Sequence, residues 1–346
     1  MNDPRLADAI AFALAHESPF PRDLAAHLAA GHFEAPPDNA LIGPIFPRGA
    51  PNGLILQGAA RLADWGDTRQ ADMTFSVAKS YLSLLAGIAH TDGLIPDLDE
   101  PVRTRVADGG FESDQNSPIT WRHLLTNTSE WEGTLFGKSD RIDRGRDLAA
   151  EGRSKRGERV LQAPGTYWEY NDVRVNRLSL ALLRIFRRPL PEVFAERIMN
   201  PLGGSRDWVW HAYDNAMVEV EGRRLPSVPG GTHWGGGLCI HAEDQALVGR
   251  LMLGRGAVNA TRILPEAWVD ASIAPCPLNP SYGLLWWLNG AGRWPEAPRD
   301  SIFAMGAGGN VTWIWPAGRV VAVMRWIDPA KIGGFCALVA AALGEA

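Results

Sequence analysis

Asp72-Met-Thr-Phe-Ser76-Val-Ala-Lys79 decides the reading of this chain. The first four residues read as extended backbone. Ser76 then opens an apolar run to His90, which predicts a helix stopping near Asp92-Gly93, where glycine provides a C-terminal stop. Ser76 and Lys79 stand at i and i+3, so their side chains share one helix face and can touch. The chain has only four lysines, Lys79, Lys138, Lys155 and Lys331, among 34 Lys and Arg residues. Arginine keeps its proton in a protein, whereas a desolvated lysine can lose it, and only a neutral amine can take a proton from a serine. The pair reads as a nucleophile and its base, with burial in the apolar helix expected to lower the amine's pKa.

Working outward, Pro4 to His16 predicts a first helix. Gly53–Gln57 and Ala60–Trp65 predict a hairpin turning at Gly58. From Leu94 to Arg224 the pattern is helices and long loops. Thr120 is placed to cap Trp121–Leu125, Asp172 to cap a helix from Val173 to Arg187, and Leu190-Pro191 starts a shorter one. Later, Glu243–Leu253 reads as a helix. Tyr282–Asn289, Asn310–Trp315 and Arg319–Trp326 read as strands, with a turn at Pro316-Ala-Gly318, and Ile332–Leu343 as a closing helix. Tight turns imply antiparallel pairing. The two strand groups share one sheet only if the helical middle is an insertion. The expected architecture is an α/β (α+β) antiparallel sheet flanked by terminal helices, from 1–93 and 225–346, with an inserted all-helical domain, 94–224. The cleft between them is the expected ligand site.

Two further stretches carry chemistry. Pro164-Gly-Thr-Tyr-Trp-Glu-Tyr170-Asn171-Asp172 leads a tyrosine out of a turn, and its oxygen can relay a proton between a serine and a leaving group. Met305-Gly306-Ala307-Gly308-Gly309-Asn310 precedes a strand, and its glycines permit a ligand to approach backbone N–H groups, as an oxyanion hole requires.

These three stretches, in this order, resemble the motifs of the serine β-lactamase/penicillin-binding-protein superfamily, in its class C β-lactamase-like branch, which includes esterases and 6-aminohexanoate-oligomer hydrolases. His123–Ser129 and Gly235–Asp244 are similar to further family stretches, and the resemblance runs from about Leu54 to Trp326. It implies the fold inferred above, an acyl-enzyme on Ser76, Lys79 as base and Tyr170 as the proton relay. It also implies an oxyanion hole built from the Ser76 and Ala307 amides, aligned through Gly306.

The departures shape the expected substrate. Asp172 stands where the family's Tyr-x-Asn motif has Asn, with Asn171 the nearest substitute. Ala304 and Met305 stand where a Lys or His and a Thr would hold a substrate carboxylate. Losing such a contact removes ~1.5–3 kcal/mol of binding. The expectation is therefore a neutral or amine-bearing amide or ester, such as an aminoalkyl amide, with Trp131, Trp168 and Trp234 as candidate pocket aromatics. The alternatives are an acyltransferase working through the same acyl-enzyme and a non-catalytic binder or sensor.

Bulk properties exclude other classes. Net charge is −5 without a basic run, against nucleic acid; the mildly basic stretch Arg141–Arg159 is interleaved with acids and reads as solvated surface. No segment reaches the ~18 apolar residues of a membrane span. Met1-Asn-Asp-Pro-Arg lacks a signal pattern, and Cys239, Cys276 and Cys336 read as free thiols, so a cytoplasmic protein is expected. The eight histidines show no metal spacing, so neither metal nor other cofactor is expected, and a small-molecule substrate is the only partner called. Gly133–Ser139 is one residue short of a phosphate loop and reads as an ordinary loop, and Glu130 and Glu132 as surface acids.

Overall fold

The computed structural model describes residues 2–146, 148 and 159–344; most of the basic stretch up to Arg159 lies outside the described residues. Gly58, at φ +58°, turns β1 (Asn52–Gln57) into β2 (Ala60–Trp65), as the alternation around it predicts. Leu54 and Ile55 are buried on opposite faces of β1, which suits an interior strand. The short strands β3 (Asp72–Met73), β4 (Thr134–Leu135), β5 (Lys138–Ser139), β6 (Val209–His211), β7 (Met217–Val220), β8 (Arg223–Pro226), β9 (Gly237–Ile240), β10 (Ala257–Val258), β11 (Thr261–Arg262) and β12 (Trp287–Leu288) follow. The long strands β13 (Ile302–Gly306), β14 (Asn310–Trp315) and β15 (Val320–Arg325) complete a six-stranded sheet in the order β12-β13-β14-β15-β1-β2, antiparallel throughout. Chain segments from both ends of the sequence thus share one sheet, as expected.

The helices are α1 (Ala7–Ala15), α2 (Leu24–Ala29), α3 (Val77–Thr91), α4 (Trp121–Leu125), α5 (Asp172–Phe186), α6 (Leu190–Phe194), α7 (Asn200–Leu202), α8 (Ala242–Leu253), α9 (Glu266–Ser272) and α10 (Ile332–Leu343). Gly249 of α8 lies against Thr312 and Val321, whereas Gly344, just past α10, meets Trp315. Residues 312 and 315 point to opposite sides of a strand, so α8 and α10 cover opposite faces of the sheet. β14 and β15 are accordingly buried along their whole length.

Local chemistry explains the helix starts. Thr120 accepts from the His123 N–H to cap α4, as read from sequence. α5 is capped by Asn171, whose side chain accepts from Arg174 N, rather than by Asp172. The strand expected over Tyr282–Asn289 shrinks to β12, because Leu285 adopts φ +62° and breaks the extended run. The middle segment 94–224 is not all-helical: β4 pairs with β5, β7 with β8, and β6 with β9 outside the segment. Gly137 (φ +78°) and Gly222 (φ +75°) make the two hairpin turns, a signal the helical reading passed over. The phosphate-loop-like stretch is the β4–β5 hairpin, and Lys138 donates to the Asp38 and Ala40 carbonyls. Among the described residues no helix is long and apolar enough to cross a membrane, and the three cysteines are buried and unpaired.

Candidate active site

Ser76 is delivered by a strained turn. Thr74 N–H bonds the Leu238 carbonyl beside β9, and Phe75 then takes φ +51°, a conformation costly for a bulky residue, before α3 begins. The Ser76 side chain makes no capping bond, so its Oγ is free to accept from Lys79 Nζ at 2.8 Å. The i, i+3 contact expected from sequence is present.

The charge state of Lys79 differs from expectation. Burial alone would strip its proton, but the Asp172 carboxylate hydrogen-bonded to Nζ reverses the effect and raises the amine's pKa above its ordinary value. Burial also favours the neutral Asp172 acid, yet Lys79, His233 and Arg146 together hold it well below the usual carboxylate range. Asp172 therefore supplies the counter-charge that sequence reasoning left out, and Lys79 is an ammonium at neutral pH. Lys79 Nζ lies 4.9 Å from the Tyr170 ring centroid. Burial pushes the Tyr170 phenol up against the pull of Lys79, so it too is protonated.

Behind Asp172 lies a buried polar cluster. Asp172 Oδ2 accepts from Arg146 at 2.9 Å, and His233 Nδ1 lies 3.1 Å from the same oxygen and 2.9 Å from Arg146 Nη2. Arg146 also reaches Glu34 Oε1 at 3.1 Å and pairs with Asp143. Burial raises the Asp143 acid, with Arg146 opposing. Glu34, Asp143 and His233 bring metal-ligand atom types within 4.8 Å of one another, but the guanidinium of Arg146 pairs with all three. Both Asp172 oxygens face cations, which leaves no free carboxylate for a substrate amine.

Backbone fills the rest of the site. A Cβ on Gly306 would sit 2.0 Å from Thr74 O and 3.1 Å from Ser76 N, so only glycine lets β13 pass this close to the nucleophile turn. The adjacent Ala307 lines the same cleft, and among the described residues neither its N–H nor that of Ser76 has an acceptor within the protein. Two unspent amides beside Oγ are what an oxyanion hole requires. A family model described as Beta-lactamase matches residues 68–326. The chain belongs to that family.

Solved structures of the same fold sit at low identity. A family VIII carboxylesterase is 14% identical, with 99% of each chain covered and a TM-score of 0.63. A hydrolase with promiscuous acyltransferase activity (EstCE1) is 14% identical, covering 98% of each chain at TM-score 0.61. A β-lactamase from Mycobacterium bovis is 19% identical, covering 88% of this chain and 96% of that one at TM-score 0.57. No curated protein sequence matches.

Within the β-lactamase family frame, the structure brings Ser76, Tyr170, Asp172, Gly306 and Ala307 together around one cleft of about 260 Å³, with Lys79 buried behind it against Ser76 and Asp172. Asn171 is not a cleft residue: it is fully buried, capping α5 and donating to the Asp140 carbonyl. The three candidate tryptophans also lie outside the cleft lining. Trp131 packs in the helical region and donates to Gly110 O, Trp234 stacks on His233 and donates to Asp38 O, and Trp168 packs behind Tyr170. The large cleft aromatics besides Tyr170 are instead Phe20, Phe33, Phe75, Trp287 and Trp294, drawn from segments distant in sequence. Glu130 is no surface acid: it is fully buried between Arg159 and Arg174, whereas Glu132 is exposed.

Gly231, which the sequence reading did not single out, packs against the candidate site. A Cβ there would lie 3.0 Å from Lys79 Nζ, 3.2 Å from Asp172 Oδ1 and 3.3 Å from Ser76 Oγ, inside the catalytic group itself. The signal was the Gly230-Gly231 pair two residues before His233. Arg146, Glu34 and Asp143 carried no sequence pattern at all.

Proposed function

We propose that this protein is a serine hydrolase that cleaves an ester or amide through an acyl-enzyme on Ser76. The observation that carries it is Ser76 Oγ at 2.8 Å from a buried ammonium, open to a cleft and flanked by two unbonded backbone N–H groups. Ser76 Oγ attacks the carbonyl carbon, and the developing oxyanion is held by the Ser76 and Ala307 amides. The serine proton passes to the Tyr170 oxygen as the phenol's own proton moves to the leaving oxygen or nitrogen. The bond to the leaving group breaks, and alcohol or amine departs. Because donation and acceptance are coupled, Tyr170 needs no lowered pKa, and Lys79 acts as a fixed cation beside the reacting oxygens rather than as the base. Water then attacks the acyl carbon, gives its proton to Tyr170, and Ser76 regains one as the acid is released.

Intact mass after exposure to a serine-reactive fluorophosphonate, for wild type and Ser76→Ala, tests the reading. A single adduct on wild type alone, together with turnover of nitrophenyl esters, supports it; no adduct and no turnover overturns it in favour of a non-catalytic binder. The apolar lining of the cleft favours one second reading, transfer of the acyl group to an alcohol. Product analysis with added alcohol separates ester formation from hydrolysis.

A further inference from the structure

Among the described residues, one cation in the cleft has no hydrogen-bond or ion-pair partner. Arg146 is saturated by Glu34, Asp143 and Asp172. His32 is driven down to about 4, chiefly by burial, and is neutral. Arg293 also lines the cleft, yet among the described residues it makes no hydrogen bond and no ion pair. Its guanidinium carbon lies 4.5 Å from the Trp287 ring centroid and 5.3 Å from that of Trp294. Glu296, three residues on, turns away to Gly333 at the start of α10, so no local acid neutralises it.

The segment that carries Arg293 is built rigidly. Asn289 is fully buried; its side chain accepts from Trp294 N at 2.8 Å and donates to the carbonyls of Trp294, Ala297 and Pro298, each at 3.0 Å. Gly292, at φ +76°, closes the turn by donating to the Asn289 carbonyl at 2.7 Å. Trp294 packs on Phe303 of β13, 4.6 Å between centroids. A long side chain lying against two indoles, which stand at 87° to each other above a braced turn, loses less freedom on binding than a free one. Contact with the rings uses none of the guanidinium's N–H donors on a protein acceptor among the described residues, and the fork suits a planar two-oxygen acceptor.

The position relates this edge to the chemistry. Trp287 is stacked on Tyr170, with centroids 5.7 Å apart and planes at 25°, so Arg293 stands one aromatic layer from the proposed proton relay. We infer that Arg293 is a specificity-determining residue that binds a carboxylate at the far end of the substrate, making the preferred substrate an ester or amide with an apolar body and an anionic tail. The inference rests on the proposed acyl-enzyme reading for the identity of the site, and it reverses the amine-bearing substrate expected from Asp172, whose charge is neutralised by Lys79, Arg146 and His233. The β13 positions Ala304 and Met305 supply no cation, and the free positive charge comes instead from the loop before that strand.

The test compares 4-nitrophenyl monoesters of glutaric, adipic and suberic acid with the matching esters whose distal carboxyl is methylated. Wild type should favour the anionic member of at least one pair by roughly tenfold in kcat/KM, about 1.4 kcal/mol, carried mainly in KM and shrinking with added salt. Arg293→Met should collapse the ratio toward one, and Arg293→Lys should keep part of it. A wild-type enzyme that turns over both members equally, or a Met variant that keeps the preference, overturns the anion site while leaving the hydrolase standing. If no ester is turned over, binding decides it separately: the Ser76→Ala protein should bind monomethyl adipate more tightly than dimethyl adipate, and a further Arg293→Met change should abolish the difference. Equal binding of the two would overturn the inference.

Discussion

Lys79 and Asp172, 93 positions apart in sequence, form an ion pair whose side chains are only 1% and 7% exposed. Asp172 stands where the family motif has a neutral Asn, and the exchange changes what the neighbouring lysine can do. With Asn the buried amine would be driven toward neutrality; with Asp it stays charged. Under the proposed mechanism, the pair leaves the proton transfer to Tyr170 and makes Lys79 an electrostatic element of the site.

The pH profile follows. The Lys79 pKa is raised and that of Asp172 lowered, so the pair stays charged throughout neutrality and kcat/KM should be flat there, falling only as alkali removes the ammonium. Asp172→Asn leaves the burial but removes the carboxylate, so the Lys79 pKa should drop and the alkaline limb should move to lower pH. Ester hydrolysis measured from pH 6 to 10 in both proteins checks this. A variant profile as flat as that of wild type over this range would show that Asp172 does not control the charge of Lys79.

Stability should follow the same linkage. The raised Lys79 contributes stability that is fully present below the ordinary lysine pKa of 10.5 and is lost as pH rises through the folded value. The depressed Asp172 contributes stability present above 3.8 and lost as pH falls through its folded value. Asp172→Ala strands a buried ammonium and should cost about 3–5 kcal/mol. Adding Lys79→Met should recover much of that loss. Urea melts of the two single variants and the double variant test it, and strictly additive losses would deny the coupling.

Gly231→Ala is expected to separate catalysis from folding. The Gly231 backbone lies outside the left-handed region, so alanine is conformationally acceptable, but its methyl would press on Lys79, Asp172 and Ser76 at 3.0–3.3 Å. Displacing a reacting group by a fraction of an ångström costs about tenfold or more in rate. The expected result is a strong fall in kcat with a near-native melting temperature; full activity would mean that the three side chains adjust freely.

Glu130 should matter to the fold and not to the chemistry. It bridges Arg159 and Arg174 while fully buried. Burial raises its acid, but Arg159 and Arg174 prevail and hold its pKa below the ordinary value, so its stabilising effect is present above 4.5 and fades as pH falls through the folded value. Glu130→Gln should cost about 3 kcal/mol at neutral pH, read by denaturant titration, while fluorophosphonate labelling of Ser76 in the folded protein proceeds at the wild-type rate. Loss of labelling in a protein that still melts cooperatively would place Glu130 in the site after all.

The limits of the sequence reading are visible in particular residues. Trp131, Trp168 and Trp234 were candidates because they are large and near motifs, but periodicity says only that an aromatic is buried, not against what. The aromatics that line the cleft, such as Phe20 and Trp294, come from segments about 270 positions apart that meet only when the sheet closes. Glu130 read as a surface acid because charged residues are seldom buried unless paired, and its partners lie 29 and 44 positions away.

What the amino-acid sequence determined by itself is what short-range geometry encodes. The i, i+3 spacing places Ser76 and Lys79 on one helix face, Gly58 and Pro316-Ala-Gly318 make hairpin turns, and Gly306 marks the strand that passes the nucleophile. What only the tertiary structure decided is the electrostatic state of those groups. The charge on Lys79 depends on Asp172, that of Asp172 on Lys79, His233 and Arg146, and Arg293 meets no acid among the described residues. Such energies vary with distance and burial, and both are set by the packing of chain segments whose separation in sequence carries no information about their separation in space.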